Sequence, residues 1–146
     1  MKGLVHIYTG NGKGKTTSAI GLGIRAYGRG FKVLMVQFLK GMETGEIKTL
    51  KKLEPDFLLY RPKEVKGFIW NMSDEQKEEV KKSMQEAIRF VGQSVQEEDW
   101  DMLILDEILA TVNNGLVSEE DVCRIINNRP QKLEVVLTGR NAPKKL

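Results

Sequence analysis

A chain of 146 residues suffices for one domain around a single core. Hydrophobic residues at 40% and charged residues at 29% are ordinary for a globular chain, and a net charge of +3 with interspersed lysines and acids argues against nucleic acid or a membrane surface as partner. The single cysteine, Cys123, excludes an internal disulfide, and no run is long enough for a membrane span or a signal peptide, so the expected setting is cytoplasmic.

Apolar runs of strand length alternate with helical patterns, the signature of an α/β fold with a mostly parallel sheet flanked by helices. The first strand spans about 3–8 and holds His6, which reads as a satisfied or edge-facing strand residue rather than a ligand, because no second histidine is present to share a metal. It leads into TGNGKGKTT, residues 9–17. Gly10, Gly12 and Gly14 let several backbone N–H groups converge on an anion, and the positive end of the following helix adds to their pull. Lys15 would reach a phosphate oxygen, Thr16 would place its hydroxyl on a magnesium ion, and Lys13 supplies a second cation. The common pattern is GxxxxGK[ST]; here Thr9 stands at the first glycine position. The helix over about 15–27 is apolar around most of its circumference, and Gly21 and Gly23 are expected to let it approach the sheet closely.

A second strand at 32–39 lacks alternation, so both its faces should be covered, and Gln37 and Lys40 stand at its carboxyl end, where open α/β sheets present ligand-contacting groups. Ile47, Leu50 and Leu53 mark a short amphipathic helix, and 57–60 a third strand. Residues 61–72 follow neither period yet carry Phe68, Ile69 and Trp70, and two readings stand: a lid or binding loop, or a plug on the sheet edge. Ser73 and Gln76 make a capping box for the longest helix, whose core face is Val80, Met84, Ala87, Ile88, Val91 and Val95. In DMLILDE, residues 101–107, a buried strand delivers Asp106 and Glu107 to its end, like the acidic strand that accompanies phosphate loops and holds magnesium directly or through water. Ser118 with Asp121 starts a further helix that ends before Pro130. The last strand, 133–137, closes on Thr138, Gly139 and Arg140; Arg140 either offers its fork of donors to phosphate or substrate, or lies on the surface beside a turn.

TGNGKGKTT, VQFLKG at 36–41, GFIW at 67–70, LDE at 105–107 and LTGR at 137–140 stand in an order that resembles the ATP:corrinoid adenosyltransferases with a RecA-like phosphate-loop fold, over nearly the whole chain. The resemblance implies one domain over 1–146 that lacks a basic amino-terminal helix and the carboxyl-terminal end seen in relatives. It implies that ATP lies reversed in the loop, with its 5′ carbon exposed to cob(I)alamin or another reduced corrinoid, and that triphosphate leaves. Gly10, Asn11, Gly12, Lys13, Gly14, Lys15, Thr16 and Thr17 would then bind nucleotide together with Arg140. By the same resemblance Lys13, Lys15 and Glu107 would form the catalytic set, and Thr16 and Glu107 would hold magnesium with Asp106 beside them. Phe68 and Trp70 match aromatics that lie against the corrin and displace its lower axial ligand. A flavoprotein or ferredoxin-type reductant and a homodimer are the implied partners. On the residues alone, two rivals remain: a RecA-like magnesium-dependent ATPase with Glu107 as the base for water, and a binding module without turnover.

Overall fold

The computed structural model describes residues 3–9, 14–39, 45–62 and 73–140. Its elements run β1 (Val5–Tyr8), α1 (Lys15–Gly28), β2 (Val33–Gln37), α2 (Gly45–Lys51), β3 (Phe57–Tyr60), α3 (Asp74–Glu97), β4 (Met102–Asp106), α4 (Ile108–Asn113), α5 (Glu119–Asn127) and β5 (Glu134–Thr138). The five strands form one sheet in the order β1-β5-β4-β2-β3, and every pairing is parallel. Parallel neighbours need crossover connections, so the helices must lie on the sheet faces.

They do so on both faces, which explains strands without alternation. Val33, Met35, Met102, Ile104 and Val136 pack with Ala19, Ile20 and Ala26 of α1 and Leu50 of α2. Their neighbours Leu34, Val36, Leu103, Leu105, Val135 and Leu137 face the other way, onto α3, α4 and α5 through Met84, Ala87, Val91, Leu109 and Val122. All five residues of β2 and all five of β4 are buried.

Local signals set the helix ends. Ser73 accepts from the Gln76 N–H while the Gln76 side chain accepts from the Ser73 N–H, so the predicted capping box opens α3. Ser118 accepts from the Asp121 N–H and opens α5.

Helix α1 departs from its predicted burial. Only Ala19, Ile20, Gly23 and Ala26 are buried, and Ile24 is 45% exposed. Gly23 meets the close-approach expectation, because an added Cβ would lie 2.8 Å from the Phe57 ring and 3.0 Å from Ile104 Cδ1, whereas a Cβ at Gly21 would meet nothing within 4 Å. The run of small and apolar residues thus marks one stripe against the sheet rather than a helix enclosed all round.

His6 lies on the edge strand β1 with Nε2 3.4 Å from Glu134 Oε2, in keeping with the edge reading. No helix among the described residues is long and apolar enough to cross a membrane.

Candidate nucleotide site

In a parallel sheet every strand ends at the same edge, and here those ends carry the polar residues. Side chains along a strand alternate between faces, so the residues two beyond Met35, Ile104 and Val136 fall on the α1 side: Gln37, Asp106 and Thr138. Because α1 follows β1 after a short loop, its first turn begins at this edge. The fold alone therefore brings Thr16 above the end of β4.

Thr16 Oγ1 donates to the Asp106 carboxylate, 2.8 Å from Oδ1 and 3.1 Å from Oδ2, across 90 residues of sequence. Thr138 Oγ1 donates to Asp106 Oδ1 at 2.7 Å, and Gln37 Nε2 lies 3.4 Å from Oδ2. Asp106 and Thr138 are wholly buried and Gln37 nearly so. A buried carboxylate is costly unless its lone pairs are satisfied, and three side-chain donors meet that need.

Glu107 leaves the strand in the left-handed region, φ 64° and ψ 18°, a conformation that costs a residue with a Cβ about 1 kcal/mol or more. Two hydroxyls hold it there. Its N–H donates to Thr138 Oγ1 at 2.8 Å, and its carbonyl accepts from Thr111 Oγ1 at 2.8 Å as α4 begins. The turn brings the half-buried Glu107 out beside the buried Asp106.

The amino end of α1 is prepared differently from those of α3 and α5. Those two carry a serine cap and acids in the first turn, whereas α1 starts from Gly14 at φ 99° with no side-chain cap bond and no acid in its first turn. Its positive end stays available to an external anion. Lys15 and Thr16 are half-buried there, and Gly14 and Thr17 are exposed. At the same edge the Gly139 N–H donates to the Tyr8 carbonyl at 3.1 Å, tying the end of β5 to the strand that feeds the loop. Gly139 has φ 142°, and a Cβ there would lie 2.5 Å from Leu109 Cβ, so only glycine lets the chain pass α4. Arg140 follows, exposed, with its carbonyl accepting from Asn113 Nδ2 at 3.0 Å.

Of the predicted site residues, Gly14, Lys15, Thr16, Thr17, Asp106, Glu107 and Arg140 thus sit at the carboxyl edge, with Gln37 among them. Gly10, Asn11, Gly12, Lys13, Lys40, Phe68 and Trp70 lie outside the described residues. The reading from sequence passed over the hydroxyl of Thr138 in favour of Arg140, although the strand period already placed Thr138 on the α1 side. A cavity of about 460 Å³ lies at the opposite edge of the sheet, against Leu22, Arg25, Ala26, Arg29 and Phe31, and none of the described site residues lines it.

An all-parallel sheet with a glycine- and lysine-rich loop between its first strand and helix, and an acidic strand end bonded to that helix's threonine, places the chain in the phosphate-loop class of α/β folds. Comparison with known proteins narrows the class. The family described as ATP:corrinoid adenosyltransferase BtuR/CobO/CobP matches residues 1–146, and the chain belongs to that family. It is 33% identical over 139 residues to the corrinoid adenosyltransferase of Escherichia coli strain K12, covering 95% of this chain and 68% of that protein. The corrinoid adenosyltransferase of Pseudomonas aeruginosa is 34% identical over 142 residues, covering 97% of this chain and 68% of the relative. That of Salmonella typhimurium is 34% identical over 140 residues, with 95% and 68% covered.

Proposed function

We propose that the chain transfers the 5′-deoxyadenosyl group of ATP to cob(I)alamin or another reduced corrinoid and releases triphosphate, in synthesis or salvage of the adenosylated coenzyme. The family match over residues 1–146 carries this reading, and the Thr16–Asp106 contact supports its nucleotide half. The cobalt(I) electron pair forms the cobalt–carbon bond while the C5′–oxygen pair departs with triphosphate, so no protein nucleophile is needed. Negative charge builds on the leaving group. The N–H groups of Gly10, Gly12 and Gly14, the amino end of α1, and Lys13 and Lys15 would stabilise such charge more in the transition state than in bound ATP. Arg140, on the same edge, is a further donor for the phosphates.

Magnesium fits the donors present. The Thr16 hydroxyl gives its proton to Asp106 and keeps its lone pairs, and Glu107, next to Asp106 in the chain, would add a carboxylate. An ion held by these few protein donors would take its remaining ligands from phosphate oxygens and water. When bound with the nucleotide, such an ion neutralises part of the triphosphate charge.

Phe68 and Trp70 would press on the corrin face and displace its lower ligand, easing reduction of cobalt(II) before transfer. A flavoprotein or ferredoxin-type donor would supply that electron, and the working form would be a cytoplasmic homodimer of one domain per chain.

The test is anaerobic mixing of protein, ATP and chemically reduced cob(I)alamin. Loss of the cobalt(I) absorbance only when ATP is present is expected, and Lys15→Ala abolishes it. An unchanged cobalt spectrum with the wild-type protein would overturn the reading.

A further inference from the structure

The hydroxyl of Thr138 joins two groups that the proposed reaction uses. The Glu107 backbone N–H can only donate, so Thr138 Oγ1 must be the acceptor of that 2.8 Å bond. Its own single proton then goes to Asp106 Oδ1, 2.7 Å away, an oxygen that also accepts from Thr16. One chain of hydrogen bonds therefore runs from Glu107 through Thr138 and Asp106 to Thr16, linking β4, β5 and the first turn of α1. Thr138 is 0% exposed, so no solvent molecule at the surface can take over its two bonds.

From this geometry we infer that Thr138 is a positioning residue for the magnesium–nucleotide: it sets the Thr16 hydroxyl and the Glu107 backbone relative to one another without itself being a magnesium ligand. Two observations make the placement demanding. Glu107 is held in a left-handed backbone conformation that the Thr138 bond helps to secure. Asp106 has its two oxygens shared among Thr16, Thr138 and Gln37, and loss of the Thr138 proton leaves Oδ1 to the Thr16 hydroxyl alone. The carboxylate can then rotate toward Gln37 and draw Thr16 with it. Hydrogen bonds place the ligand-bearing oxygens, and a displacement of a few tenths of an ångström is enough to spoil an octahedral set.

The inference rests on the nucleotide reading of the site, and its test separates the two. Thr138→Val keeps the shape and removes the hydroxyl, whereas Thr138→Ser keeps the hydroxyl and removes the methyl. Calorimetric titration with ATP is carried out in excess magnesium and again in chelator, and the ratio of the two affinities is the readout, alongside thermal melting of the ligand-free proteins and the rate of adenosyl transfer. The wild-type ratio is expected to fall about tenfold in Thr138→Val, the scale of one lost hydrogen bond to a charged group, and to return within about threefold of wild type in Thr138→Ser. Affinity in chelator stays within about threefold of wild type in both variants, since the loop and α1 are intact. If Thr138→Val does not fold, Thr138→Ala supplies the same ratio. A Val or Ala variant with the wild-type ratio overturns the inference, as does a serine variant as impaired as valine, which would assign Thr138 to packing. A wild-type protein that binds magnesium–ATP through Thr138 yet leaves the cobalt spectrum unchanged sinks the transferase reading and leaves this inference standing.

Discussion

The two edges of the sheet are built from the same five strands and solve opposite problems. At the amino edge the charges are open to water: Lys132 bridges Asp99 and Asp101, Asp101 accepts from the Lys32 N–H at 2.8 Å, and the Lys32 ammonium lies 5.3 Å above the Trp100 ring. At the carboxyl edge the polar atoms are buried and satisfied by one another, around Asp106, and the backbone takes left-handed turns at Leu39 and Glu107. Exposed pairs trade one water-like environment for another and contribute little. Buried ones must be complete, because a missing partner leaves an unsatisfied group. The carboxyl edge is where the chain tolerates strain, and strain of this kind collects at sites that act on ligands.

The largest effect should come from Asp106→Ala, which leaves the donors of Thr16, Thr138 and Gln37 without their acceptor. Loss of roughly 3 kcal/mol in denaturant unfolding is expected, with magnesium–ATP binding lost in calorimetry. A variant that unfolds and binds like wild type would erase the distinction between the edges.

Glu107→Gly separates stability from function. Glycine accepts φ 64° without cost, so melting should occur at or above the wild-type temperature while turnover falls about 10²-fold. Marked destabilisation would mean that the carboxylate serves the fold. Gly139→Ala comes next: its Cβ would collide with Leu109, and a loss of about 2 kcal/mol in denaturant melts is expected.

The smallest effect belongs to the amino edge. The hydrogen bond from Lys132, and then its charge, hold the exposed Asp99 carboxyl below the usual carboxylate range, while Asp99 and Asp101 raise Lys132. Since the folded value of Asp99 lies below the unfolded one, its contribution is complete in neutral solution and is lost as pH falls through the depressed value. Asp99→Asn should therefore melt marginally below wild type at neutral pH, with the gap closing in acid and in high salt. A gap that widens in acid would reverse the sign assigned to this pair.

Much of the fold and of the carboxyl edge was legible in the sequence, because the signals are local. The capping pairs Ser73–Gln76 and Ser118–Asp121 lie three residues apart, and the strand at 57–60 matches β3 residue for residue. DMLILDE announced a buried strand ending in acids, and the structure buries Asp106 while turning Glu107 outward. What stayed hidden depends on neighbours distant in sequence. Gln37 was marked as a candidate for ligand contact, but only the order β1-β5-β4-β2-β3 sets it beside Asp106 and sends Thr138 to the same carboxylate. The exposure of Ile24 was illegible for the same reason: the face of α1 that meets the sheet is chosen by Phe57 and Ile104, far along the chain. Phe68 and Trp70 lie outside the described residues, and their role rests on the GFIW motif; substituting them should slow reaction from cobalt(II) more than from prepared cobalt(I), and equal losses would leave them as packing.

Phosphorus NMR of the anaerobic reaction of wild-type protein, magnesium–ATP and cob(I)alamin tests the central claim most directly, because it reports which bond of ATP breaks. Cleavage at the 5′ carbon yields inorganic triphosphate in step with the loss of cobalt(I), and that is the predicted result. ADP and orthophosphate, with cobalt(I) untouched, would contradict it and make the same edge an ATP hydrolase.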